Sequence, residues 1–208
     1  MYDEGVTSYE KLVRILFSTY GMPSSSNIDL TDSLFANFLD GLENPELHFE
    51  FETDQVIIDV SLFLITGIRQ VYGNSTFMEK YNERTKISDF ISYSGHSGLG
   101  ANIRVLAKMG TFLPDQYQIF LINGCDTFAY VDNALAKAHQ LVNPDYGPNK
   151  YLDIITNAMP SYFYSNARSN ISVITALYEQ QKSYKEILAN FEYVQRAAVT
   201  GEEDNNWP

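Results

Sequence analysis

Cysteine is nearly absent from this chain: Cys125 is the only one in 208 residues. A single thiol excludes an internal disulfide framework and leaves the redox compartment open. Cations are scarce as well, with 14 Lys and Arg against 26 Asp and Glu and a net charge of −12. A phosphate backbone requires clustered Lys and Arg, so the charge argues against nucleic acid as a partner. Basic peptides and other cationic partners stay compatible with that charge. No apolar run reaches the ~18 residues of a membrane span. The longest candidate, residues 56–65, is interrupted by Asp59 and Ser61. The opening Met1-Tyr2-Asp3-Glu4 lacks the basic-then-apolar pattern of a signal peptide, so none is expected. Three scattered histidines and one cysteine show no zinc spacing, and the glycine runs lack the Lys-Ser/Thr of a phosphate-binding loop. Neither a metal nor an organic cofactor is expected. Val131 stands where a tyrosine-phosphatase loop would need Arg.

What the chain does have is apolar mass. Hydrophobic residues make up 45% and charged ones 19%, enough for one well-filled domain. Residues 1–45 read as a helical N-terminal segment. Thr7 and Glu10 fit a capping box before the stripe Leu12, Val13, Leu16 and Phe17, which Gly21 and Pro23 end. A loop over 23–27 and a second helix over 30–42 follow. Residues 46–198 read as an α/β domain. Strict alternation over 47–52 predicts a half-exposed strand carrying His48 on its polar face, and 56–65 a more deeply buried partner in a hairpin. Strands and helices then alternate: helix 75–84, a strand ending near Tyr93, helix 102–109, a strand ending near Asn123, and helix 128–142. A strand at 151–156 and helices at 167–179 and 183–194 complete the series, the last opened by a Ser183/Glu186 capping box. This order implies a mainly parallel sheet flanked by helices. Residues 199–208 read as an acidic flexible tail.

The chemistry gathers at two strand ends. Ile119-Phe120-Leu121-Ile122 stops at Asn123-Gly124-Cys125-Asp126, and an earlier run stops at Gly95-His96-Ser97-Gly98. Open α/β sheets carry their sites at such ends. The 29 positions from His96 to Cys125 suit one crossover helix and one strand, making the two parent strands parallel neighbours. A thiolate is the nucleophile, and an imidazole takes its proton. Gly95, Gly98 and Gly124 let a substrate backbone approach, and the amides of Ser97 and Cys125 are the candidate oxyanion donors.

These two blocks, Tyr93-Ser94-Gly95-His96-Ser97-Gly98 and Ile119 to Asp126, resemble the signatures of caspase-like cysteine peptidases. That clan includes caspases, metacaspases, legumains, gingipains, clostripain and separases. The resemblance implies a caspase–haemoglobinase fold, with His96 as base and Cys125 as nucleophile. It also implies a polypeptide substrate cleaved through an acyl-enzyme. Ser97 stands where the family usually has Gly, and the early hairpin replaces the usual strand–helix–strand opening. Arg104 and Arg168 are candidates for binding an acidic side chain before the cut. Asp126, Asp132 and Asp153 are candidates for binding a basic one, and Asp126 and Thr127 compete to cap the next helix.

Two other readings use the same segments. One is a caspase-like domain that binds without turning over. The other takes Gly95-His96-Ser97-Gly98-Leu99-Gly100 as a nucleophile elbow with Ser97 attacking. In that case the glycine arrives one residue late, and the only downstream histidine is His139, expected on a helix surface. Tyr162, Phe163 and Tyr164 are candidates for a cleft wall.

Overall fold

The computed structural model describes residues 4–21, 25–26, 46–52, 56–65, 67–73, 75–179 and 182–201. The elements run α1 (Glu4–Tyr20), β1 (Ser25–Ser26), β2 (Glu46–Glu52), β3 (Ile57–Phe63), α2 (Ile68–Val71), α3 (Ser75–Thr85) and β4 (Phe90–Ser94). They continue α4 (Ala101–Leu106), β5 (Gln118–Asn123), α5 (Thr127–Tyr130), α6 (Ala134–Val142) and β6 (Leu152–Asn157). The chain closes with α7 (Phe163–Glu179), α8 (Tyr184–Leu188), a 3-10 turn at Tyr193–Gln195 and β7 (Ala197–Thr200).

There are two sheets. β1, β2 and β3 form an antiparallel sheet, and the second sheet has the order β4-β5-β6-β7. In the second, β4, β5 and β6 are parallel, and β7 runs antiparallel to β6. The molecule is therefore α/β with one mixed, mostly parallel sheet. The period of two along β5 sorts its side chains onto two layers. Phe120 and Ile122 join Ile91, Ile103, Leu106 and Leu135 on the α4/α6 face. Leu121 joins Ile155, Val173, Ala176 and Ile187 on the α7/α8 face. Tyr9, Val13 and Leu16 of α1 cover Leu47 and Phe49 of β2 in a third cluster that reaches Ile171 of α7. Each such side chain contributes about 1.5–3 kcal/mol through its burial. Among the described residues no helix is long and apolar enough to cross a membrane.

The hairpin, the parallel β4–β5 pair and the Ser183/Glu186 capping box stand as expected. Several expectations are corrected. Thr7 lies inside α1, which starts at Glu4, so it is not the cap. Ser25 and Ser26 pair with His48 and Leu47, so the 23–27 loop contains a short strand. β3 is only half-buried, with Ile57 69% exposed, because the sheet presents one face to solvent. His48 is not merely solvated, since its Nδ1 lies 3.1 Å from Asp59. The helix expected over 128–142 is broken into α5 and α6 around Asp132 and Asn133, and 183–194 holds a short helix and a 3-10 turn. Residues 199–200, assigned to the tail, belong to β7. The helix over 30–42, the turn 53–55 and the tail beyond Gly201 lie outside the described residues.

His139 is the largest departure on a helix. It is 1% exposed, while the neighbouring apolar Leu141 is 81% exposed. Its Nδ1 faces the Leu135 carbonyl at 3.0 Å and its Nε2 faces Gln118 Oε1 at 3.0 Å. The amide of Gln118 cannot turn to help, because its Nε2 donates to the Thr85 and Ser88 carbonyls. Two acceptors favour the doubly protonated ring, but burial is the larger influence and pushes the pKa below the ordinary histidine value. A depressed histidine stabilises the fold fully above the unfolded pKa of about 6.5 and loses that contribution as pH falls below it. Thermal melts should therefore drop between about pH 6.5 and 5. In His139→Gln this segment of the profile should flatten.

Candidate active site

The register of the parallel pair sets the geometry. Ser94 of β4 lies opposite Asn123 of β5, and the Gly95 amide extends the ladder by donating to the Asn123 carbonyl at 3.0 Å. His96 and Cys125 therefore each stand two residues beyond that last matched pair, on strands about 4.8 Å apart. The turns after the two strands touch backbone to backbone at Gly124. A Cβ there would lie 2.7 Å from the Gly95 carbonyl oxygen and 3.4 Å from the Ser97 amide nitrogen. Only hydrogen fits, so glycine is what brings the Ser97 amide up to the Cys125 turn. Gly124→Ala should push the turns apart by several tenths of an ångström. A cost of about 1–3 kcal/mol in stability is expected, with an alkylation rate at Cys125 lowered by roughly tenfold or more. Chemical denaturation and iodoacetamide kinetics read the two effects separately.

The chain positions both side chains. His96 is exposed, and its carbonyl accepts hydrogen bonds from Asn102 Nδ2 at 2.6 Å and Tyr93 Oη at 2.8 Å. Its ring meets the Phe163 ring edge-on with centroids 4.9 Å apart. Cys125 is half-buried, and its thiol donates to the Ser161 carbonyl at 3.6 Å. Ser161 and Phe163 flank one residue, Tyr162, so imidazole and sulfur border the same short segment leading into α7. Tyr162 stacks on Tyr164 at 5.5 Å, and both are exposed. Of the three aromatics, Phe163 is the one that meets His96 and lines the neighbouring cleft.

Beneath the thiol lies a layer of buried amides that sequence reasoning missed. Asn123 Oδ1 accepts from Asn157 Nδ2 at 2.6 Å and Gln195 Nε2 at 3.2 Å, and Asn123 Nδ2 donates to Asn166 at 3.0 Å. Asn157 Nδ2 also reaches the Gly124 carbonyl at 3.2 Å. Thr127 donates to the Ile122 carbonyl at 2.7 Å and accepts from the Asn157 amide at 2.9 Å. All five residues are buried. They tie the ends of β5 and β6, the start of α7 and the turn before β7 into one platform under Cys125. The available signal was the polar residue closing each apolar run, Asn123 and Asn157. Asn157 Oδ1 and Gln195 Oε1 are buried in this layer without a hydrogen-bond partner among the described residues.

The remaining candidates scatter. Asp126 takes the left-handed conformation at φ 54° and occupies the cap position of α5, but its side chain makes no capping bond. Thr127 does not cap α5 either, because it is the first residue of the helix and bonds backward to Ile122. The guanidinium of Arg104 borders Gly100 and Tyr130 and bonds the Leu99 carbonyl at 3.4 Å, bracing the loop after His96. Arg168 is exposed on α7. Asp132 accepts from the Ala134 amide at 2.9 Å at the start of α6. Asp153 belongs to the opposite end of the sheet, second in β6, where it accepts from Tyr117 and, at 2.6 Å, Tyr184. It is therefore no pocket acid for a substrate at Cys125. Ser97 is only 6% exposed, and His139 lies at Gln118, the first residue of β5, so the two parts of a serine triad stand at opposite ends of the strand. On the hairpin, Ser61 and Asp59 both approach Nδ1 of His48, leaving the ring unable to bridge them as a triad histidine does.

The chain matches no protein-family model, no curated protein and no solved structure.

Proposed function

We propose that this chain is a cysteine endopeptidase of caspase-like type, with Cys125 as nucleophile and His96 as its base. The observation that carries the reading is the contact of the two glycine turns at Gly124, which brings the His96 and Cys125 loops together at adjacent parallel strand ends. In this mechanism His96 accepts the thiol proton and the thiolate attacks the scissile carbonyl carbon. The amides of Ser97 and Cys125 stabilise the oxyanion, worth about 2.7–4 kcal/mol per donor. His96 returns the proton to the leaving amine, and water then hydrolyses the thioester. The exposed Tyr162 and Tyr164 offer flat apolar surface to the peptide on one side. Arg104 and Arg168 remain the candidates for an acidic preference and Asp126 for a basic one.

Iodoacetamide tests the reading without a known substrate. Rapid alkylation of Cys125 near neutral pH, slowed by His96→Ala, is the expected result. Labelling only after denaturation would mean a buried structural thiol and would end the proposal. A second reading, a caspase-like domain used for binding, draws support from one contact. The thiol donates to the Ser161 carbonyl rather than to the imidazole. In that case labelling is slow and indifferent to His96.

A further inference from the structure

We infer that one face of α7 sets the position of His96 against Cys125, with Asn166 and Asn170 as positioning residues for the pair. The assignment rests on the peptidase reading, because the two groups it positions are the proposed base and nucleophile. The last matched pair of the parallel ladder is Ser94 on β4 and Asn123 on β5. Each member is held by a different asparagine of the same helix. Asn170 Nδ2 donates to Ser94 Oγ at 3.0 Å, and Asn166 Oδ1 accepts from Asn123 Nδ2 at 3.0 Å. His96 and Cys125 each follow two residues after one of these anchors. A third contact comes from the first residue of the helix, where the Phe163 ring meets the imidazole edge-on.

Phe163, Asn166 and Asn170 are spaced i, i+3 and i+7, so they share one face of α7. The ladder between β4 and β5 ends at the Gly95 amide, one residue short of His96. A single helix that grips both strand ends and the imidazole fixes the two turns against one another beyond that point. The choice of side chain points the same way. Asn166 and Asn170 are both buried in mid-helix. Asparagine is a poor helix former, and a buried amide is costly unless it is bonded. Further along α7, Val173 and Ala176 pack on the sheet with apolar side chains alone. The two amides give up that packing for directed hydrogen bonds, which hold their partners at fixed points. Asn170 is itself braced, its Nδ2 also donating to the Asn166 carbonyl at 2.9 Å.

Iodoacetamide kinetics at neutral pH on the full chain, with thermal melts of the same proteins, test the assignment. Asn166→Ala and Asn170→Ala should each slow alkylation of Cys125 by about tenfold, since a misplacement of about 1 Å costs up to about a hundredfold. Ser94→Ala removes the acceptor for Asn170 at an exposed position and should slow alkylation by roughly threefold or more. Added to Asn170→Ala it should change little, because the two residues share one hydrogen bond. In a His96→Ala background none of the three should slow the reaction further, because their effect runs through the imidazole. A role in stability alone gives the opposite sign, since a loosened fold exposes the thiol and speeds labelling. Three results overturn the inference: both asparagine variants alkylating at the parent rate, both alkylating faster, or equal slowing with and without His96. Should the asparagine variants not fold, Ser94→Ala with and without His96 decides the matter. Failure of the peptidase reading itself shows separately, as His96→Ala with α7 intact labelling as fast as the parent, and it would take this inference with it.

Discussion

Cys125→Ala should abolish the proposed peptide hydrolysis, by about 10⁴-fold or more, and leave the thermal midpoint nearly unmoved. The size follows from the role. Alanine removes the proposed nucleophile, and no other thiol exists in the chain to replace it. The small effect on folding follows from position, because the half-buried sulfur makes one long hydrogen bond and lies outside the three apolar clusters. His96→Ala should lower turnover by about 10²–10⁴-fold. It should also slow alkylation of Cys125 near neutral pH. His96 is exposed and its carbonyl, not its ring, receives the two hydrogen bonds that shape the loop. The variant should therefore keep its fold. Hydrolysis of a mixed peptide library and alkylation kinetics measure these effects. A fully active Cys125→Ala protein would falsify the peptidase assignment.

The largest stability effect is expected at the other end of the sheet. Asp153 is fully buried and accepts hydrogen bonds from the hydroxyls of Tyr117 and Tyr184. Asp153→Ala leaves two phenols facing a void. The expected cost is about 3–5 kcal/mol, the sum of lost acceptors and a cavity. For a chain of this size that lowers the thermal midpoint by roughly 10 °C. Tyr184→Phe should cost less, about 1–2 kcal/mol, because Tyr117 still serves the carboxylate. Neither change should alter alkylation of Cys125 below the transition. The pH dependence has a definite sign. Burial first, and then Asp153, push the Tyr184 phenol far above its ordinary pKa of 10, and burial raises Tyr9 and Tyr81 in the same direction. A raised pKa gives stability that is complete below the unfolded value and lost above it. Unfolding should therefore set in steeply above about pH 10, and Tyr184→Phe should soften that slope.

The parallel strands were legible because long apolar runs such as Ile119–Ile122 end abruptly in turn residues. The candidate pair was legible for the same reason, since both turns follow directly from those ends. β7 was not. Its four residues, Ala197-Ala198-Val199-Thr200, are too few and too even in hydropathy to show a period of two. The buried amides were hidden by chemistry rather than by length. Asn and Gln read as surface or turn residues until their partners are known, and those partners lie up to 72 positions away. His139 misled for a related reason. The apolar stripe of α6 turns toward Leu135, Ala136 and His139, with the imidazole in an aliphatic position.

The antiparallel return of β7 has a consequence for biosynthesis. Gln195 and β7 are the last described parts of the platform to leave the ribosome. A nascent chain halted near residue 190 already contains Cys125 and His96 but lacks one of the amide donors to Asn123 and the strand that closes β6. Emergence of β7 is thus the step that completes the support beneath the sulfur, well after Cys125 and His96 have both been made.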